Sequence, residues 1–117
     1  MKKIAIFLLS GKDDLSKAFH ALGFAKQFKD SGIDVKLIFD GAGTFWISEF
    51  SKPNHLAHGL YQMVKNAGII EGVCEFCIGH YGSKDDVKKE ELRLLGEVEG
   101  HPNVAKILKD GYQIITL

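Results

Sequence analysis

Along the chain, short apolar runs alternate with stretches whose apolar residues recur every three or four positions. Lys3–Leu9, KIAIFLL, is continuous and of strand length, the pattern of a parallel strand buried on both faces. It ends at Ser10-Gly11-Lys12. Asp13 is placed to cap a helix in which Leu15, Ala18, Phe19, Leu22, Ala25 and Phe28 form one face, and Gly32 stops it. Asp34–Phe39 reads as the second strand, followed by the loop Asp40-Gly41-Ala42-Gly43. Strand, helix, strand makes a right-handed crossover between parallel strands the default.

Phe45-Trp46-Ile47 through Pro53 is apolar and aromatic without a clear period, so it fits a short helix over the sheet or an exposed flap. If exposed, it marks a subunit contact. Asn54 can cap a helix reaching Ala67, with Leu56, Leu60, Met63 and Val64 on one face and Gly68 as its stop. Ile69–Cys74 is the third strand. Ser83-Lys84-Asp85-Asp86 has the form of a capping box with Asp for Glu. Glu91–Val98 fits helix and strand equally. His101-Pro102 opens a further helix with Val104, Ile107 and Leu108 inward, and Tyr112–Leu117 is the last strand. The alternation predicts a three-layer α/β fold with a mainly parallel sheet of about five strands, in one domain spanning residues 1–117.

Composition narrows the partners. Lys+Arg and Asp+Glu are 15 each, so the formal charge is zero, and nothing draws the chain to nucleic acid or an anionic membrane. The apolar run Ile4–Leu9 is too short for a signal core or a membrane span, which leads us to expect a cytoplasmic protein. There, two cysteines are more readily catalytic or metal-binding than bridged. A neutral surface also permits association with further copies of the chain.

Both cysteines lie in Gly72–Gly82, GVCEFCIGHYG, at CxxC spacing after the third strand. A strand, then CxxC, then a helix start is a place where backbone N–H groups lower a thiol pKa. In open α/β sheets ligands bind beyond the carboxyl ends of the strands, so the loops at Ser10–Lys12, Asp40–Thr44 and Cys74–Gly82 are expected to share one rim. Gly41-Ala42-Gly43 is only a GxG fragment and follows the second strand, whereas the dinucleotide fingerprint follows the first. The first loop lacks P-loop spacing, and Asp13 and Asp14 would repel a flavin phosphate. No cofactor is therefore expected. A metal would need His80, His101, His55 or His58 beside the two thiolates, and without a second CxxC the ligand set is incomplete; no metal is expected. A thioredoxin-type dithiol usually relies on a cis-proline, and Pro53 and Pro102 have no evident reason to sit beside the cysteines. Sulfur or redox chemistry, a metal site and two merely packed cysteines all stay open on the residues alone.

The opening strand KIAIFLL, the loop DGAGTFW, the segment GVCEFCIGHYG and the ending GHPNVAKILKDGYQIITL together resemble the DsrE/DsrF-like family of small sulfur-relay proteins, over nearly the whole chain. The resemblance implies a flavodoxin-like three-layer sandwich and a cysteine at the end of the third strand, some eight residues before a glycine, that accepts sulfur as a persulfide. Cys74 and Gly82 occupy that pattern. It also implies homo- or hetero-oligomers, often trimers or hexamers, and sulfur donor and acceptor proteins as partners. Two positions depart from the family: His80-Tyr81 replaces an arginine pair, and Cys77 is additional. On this reading Cys74 is an accessible thiolate of low pKa, Cys77 resolves its persulfide or packs, and His80 tunes the thiol. Lys12, Gly41, Gly43 and Thr44 meet the substrate from the neighbouring loops. A non-catalytic oligomeric binding module built on the same rim is the alternative.

Overall fold

The computed structural model describes all residues from Met1 to Leu117. Strands β1 (Lys3–Leu8), β2 (Asp34–Phe39), β3 (Ile70–Cys74), β4 (Leu94–Leu95) and β5 (Gln113–Thr116) form one sheet in the order β4-β3-β2-β1-β5. Every pairing is parallel. The helices are α1 (Leu15–Asp30), α2 (Trp46–Phe50), α3 (His58–Asn66), α4 (Glu75–His80), α5 (Lys84–Lys89) and α6 (Val104–Lys109), with a 3₁₀ segment at Gly41–Phe45. This is a flavodoxin-like α/β sandwich. No helix is long and apolar enough to cross a membrane.

The layers follow from the alternation of side chains along the strands. Ile4, Ile6 and Leu8 of β1 face one way and pack with α1, α2, α3 and the inward residues Ile78 and Val87 of α4 and α5. Ala5 and Phe7 face the other way, into a smaller cluster with Ile38, Leu95 and Tyr112, against which Ile107 of α6 packs. Successive right-handed steps from β1 to β4 keep their helices on one face, and the reversed step from β4 to β5 places α6 on the other.

Several boundaries differ from the sequence reading, each for a local reason. Asp14, not Asp13, caps α1, its Oδ1 accepting from Lys17 N at 3.0 Å. Helix α3 starts at His58 with no side-chain cap, so Asn54 lies in the preceding turns. Ser83 is the N-cap of α5 but its hydroxyl is buried and without a partner, so the capping box does not form. Pro102 stays outside α6, because Asn103 provides the cap by accepting from Lys106 N at 3.0 Å. The ambiguous Glu91–Val98 stretch contributes only the two-residue strand β4, paired with Val73 and Cys74.

The aromatic segment is not a flap. Trp46 is 3% exposed, and Ile47 and Phe50 have no exposed surface. Trp46 stacks on Phe50 and donates Nε1–H to Ser10 O at 2.8 Å, which fastens the segment under the first loop. The expectation that this cluster forms a subunit contact is therefore corrected: its apolar area is spent inside the chain.

Candidate functional site

The parallel register brings the ends of β1, β2 and β3 to one edge. Their loops touch there. A Cβ on Gly11 would stand 2.9 Å from Ala42 Cβ, and the Thr44 hydroxyl lies 3.4 Å from Cys77 O. Cys74 is the last residue of β3 and the N-cap of α4, so the chain turns at that residue from strand to helix. Cys77 then lies one turn into α4. Both thiols are free; Cys74 has no exposed surface and Cys77 is 8% exposed.

A third group arrives from much later in the chain. Val98 and His101 exchange backbone hydrogen bonds of 3.0 and 2.9 Å, and the residues between them, Glu99 (φ 52°) and Gly100 (φ 87°), are both left-handed. Two consecutive positive φ values are the mark of a type I′ turn. Phe76 N donates to Gly100 O at 2.9 Å, which ties the turn to the start of α4. The Phe76 and His101 rings lie 5.0 Å apart. His101 Nδ1 thereby comes within 3.4 Å of Cys74 Sγ, and the Gly100 carbonyl within 3.7 Å. The ligand atoms of Cys74, Cys77 and His101 all lie within 4.8 Å of one another.

Asp40, at the carboxyl end of β2, completes the surroundings. Its Oδ1 accepts from Gly41 N at 2.8 Å and stands 4.0 Å from Cys77 Sγ.

These surroundings hold Cys74 as a neutral thiol. Burial, then the hydrogen bond with Cys77, push its pKa up to about 12, and the negative charge of Asp40 adds to the rise. A hydrogen bond with the Cys77 backbone pulls the other way and is outweighed. The low-pKa, accessible thiolate expected from the strand-to-helix position is thus corrected: the backbone dipoles are present, but desolvation dominates. Of the groups within reach of the proton, the Gly100 carbonyl can only share it, whereas a neutral imidazole can take it.

The other residues singled out from the sequence are placed as follows. His80 is exposed and packs edge-on against Tyr81 at 4.8 Å, with no hydrogen bond to either thiol. Lys12 is exposed and lines an open hollow of about 520 Å³ with Ser10, Asp13, Ala42 and Tyr81, not the cysteines. Gly43 and Thr44 are buried. A Cβ on Gly43 would stand 1.9 Å from the Leu8 carbonyl oxygen, and Thr44 bonds Gly41 O at 2.9 Å; both hold the second loop against the sheet. Gly41 permits the left-handed φ of 54° that starts that loop.

In the sequence Asp40 is marked only by opening the loop at the end of a parallel strand, and His101 is one of four histidines that could join the cysteines, with nothing local to single it out.

The chain is 29% identical to an uncharacterized protein of Methanocaldococcus jannaschii, over 98% of this chain and 95% of that one. Residues 2–117 match the DsrE/DsrF-like description. With a cysteine closing the third strand of a parallel α/β sheet and the match running almost from end to end, the chain belongs to the DsrE/DsrF-like family.

Proposed function

We propose that this protein is a sulfur-relay carrier that holds sulfur as a persulfide on Cys74. It acts as a single domain over residues 1–117, in the cytoplasm, as a homo-oligomer of trimeric or hexameric order. Family membership supports the sulfur chemistry and the assembly. The observation that carries the assignment to Cys74 is the 3.4 Å approach of His101 Nδ1 to its sulfur. A thiol so strongly kept protonated needs a base at contact distance if it is to act near neutral pH.

In the loading step His101 takes the Cys74 proton and the thiolate attacks the outer sulfur of a donor persulfide. A Cys74 S–S bond forms, the donor S–S bond breaks, and the donor leaves as a thiol with the proton returned by the imidazolium. A thiolate on the acceptor then attacks the outer sulfur and releases Cys74. If no acceptor arrives, Cys77 attacks Cys74 Sγ, a Cys74–Cys77 disulfide forms, and hydrosulfide leaves. His80, Lys12 and Gly41 are kept as peripheral candidates for donor docking on the exposed part of the rim.

Incubation with a sulfane-sulfur donor tests the reading by intact mass. The wild type is expected to gain one sulfur or more, Cys74→Ser none, and Cys77→Ser a persulfide that persists longer than in the wild type. Equal, sluggish labelling of both cysteines in the folded chain would leave a binding module of the same fold. Assembly is read separately, as a mass above the monomer by light scattering at micromolar concentration.

A further inference from the structure

We propose that Cys74, Cys77 and His101 form a binding site for a divalent d¹⁰ cation of the zinc class, with Asp40 beside the fourth position. The proposal goes beyond the sulfur reading and does not depend on it.

Zinc prefers tetrahedral sites of thiolate and imidazole, with Zn–S near 2.3 Å and Zn–N near 2.0 Å. A tetrahedron of those bond lengths separates two sulfurs by about 3.8 Å and a sulfur from a nitrogen by about 3.5 Å. Here Cys74 Sγ and His101 Nδ1 are 3.4 Å apart, and all three donor atoms fall within 4.8 Å of one another. Side-chain adjustments of about an ångström would therefore close the ligand set.

The donors are also held in place before any ion arrives. Cys74 is fixed by the end of β3 and Cys77 by α4. The turn that carries His101 is tied to α4 through Phe76 N and Gly100 O. Asp40 is held by Gly41 N and lies 4.0 Å from Cys77 Sγ.

The cation itself compensates the charge of the two thiolates that binding creates beside Asp40. Binding is balanced by proton release: the cation forms two metal–sulfur bonds as two S–H bonds break, and both protons go to solvent. The soft donors and the absence of a ring of carboxylates exclude magnesium and calcium. A site with an exposed imidazole edge and an unfilled fourth position also leaves room for a further sulfur ligand.

The test uses reduced full-length protein titrated with Co²⁺ as the spectroscopic probe and then with Zn²⁺. Expected are one Co²⁺ per chain, thiolate-to-cobalt charge-transfer bands in the near ultraviolet, and displacement by Zn²⁺. His101→Ala, at an exposed position and expected to keep the wild-type circular dichroism spectrum, is expected to weaken binding tenfold or more. Cys77→Ser should lower the charge-transfer intensity by about half, one of two thiolates being lost. His20→Ala, at an exposed position on α1, should bind as the wild type does. Absence of the charge-transfer bands, or His101→Ala binding as tightly as the wild type, would overturn the site. Neither result would bear on sulfur loading, which is read by mass without metal.

Discussion

Nδ1 of His101 rests 3.4 Å from Sγ of Cys74, across 27 positions of sequence. The pair joins a strand end to a turn and sets an imidazole nitrogen beside a buried thiol. Replacing the imidazole separates the two contributions. His101→Ala is expected to slow persulfide formation on Cys74 at neutral pH by on the order of 10²-fold, followed by intact mass over time. The same variant should keep its unfolding transition, since His101 is exposed.

The thiol itself makes stability depend on pH. Its folded pKa is raised from the ordinary 9.0 to about 12, so between those values the folded state retains a proton that the unfolded chain has lost. Stability is then full below about pH 9 and is lost as the pH rises toward 12. Tyr112, raised to about 12 by burial and by its hydrogen bond to Asp34, acts in the same direction. Denaturant unfolding from pH 8 to 11 should show this decline, and Cys74→Ala should flatten part of it.

The turn that presents His101 carries local strain. Glu99 sits at φ 52°, where a side chain with Cβ is disfavoured and asparagine is tolerated. Glu99→Asn is expected to stabilise the chain by about 0.5–1 kcal/mol. Gly100→Ala should do the reverse, since φ is 87° and the new Cβ would lie 3.3 Å from Phe76 Cβ. Urea unfolding measures both.

Two glycines give opposite forecasts. Gly43→Ala drives a methyl into the Leu8 carbonyl, with 1.9 Å between them before any shift, and should cost about 3 kcal/mol or more. Gly23, in the middle of α1, has open space around its position. Gly23→Ala is expected to raise stability by about 1 kcal/mol through helix propensity alone. Thermal melts of the two variants should move in opposite directions.

How much of this could be read from the sequence depends on the range of the interaction. The sheet was legible because Lys3–Leu9, Asp34–Phe39 and Ile69–Cys74 are apolar runs of strand length bounded by turn residues. Cys74 was legible as a site because the strand ends on it and CxxC follows. The Trp46 segment was not, since counting large apolar residues in a short aperiodic stretch does not say whether they cover a core or a partner. His101 was not legible because its approach depends on a type I′ turn with glutamate at a left-handed position, and glutamate carries no turn signal. The thiol pKa failed for a related reason: helix dipoles are local and visible in sequence, while desolvation is a property of the assembled fold.

The two-residue β4 and the sparsely buried α6 have a dynamic consequence. β4 meets β3 at only Val73 and Cys74, and α6 buries no residue fully, leaving Val104 and Leu108 42% and 60% exposed. Elements with so little apolar fastening open at a small fraction of the global unfolding free energy. Amide hydrogens from Leu94 to Lys109 should therefore exchange well before those of β1 and β2. The Phe76 N to Gly100 O hydrogen bond fastens the His101 turn to α4, so within this segment exchange is expected to be slowest beside His101, the imidazole staying next to Cys74 while its flanks open.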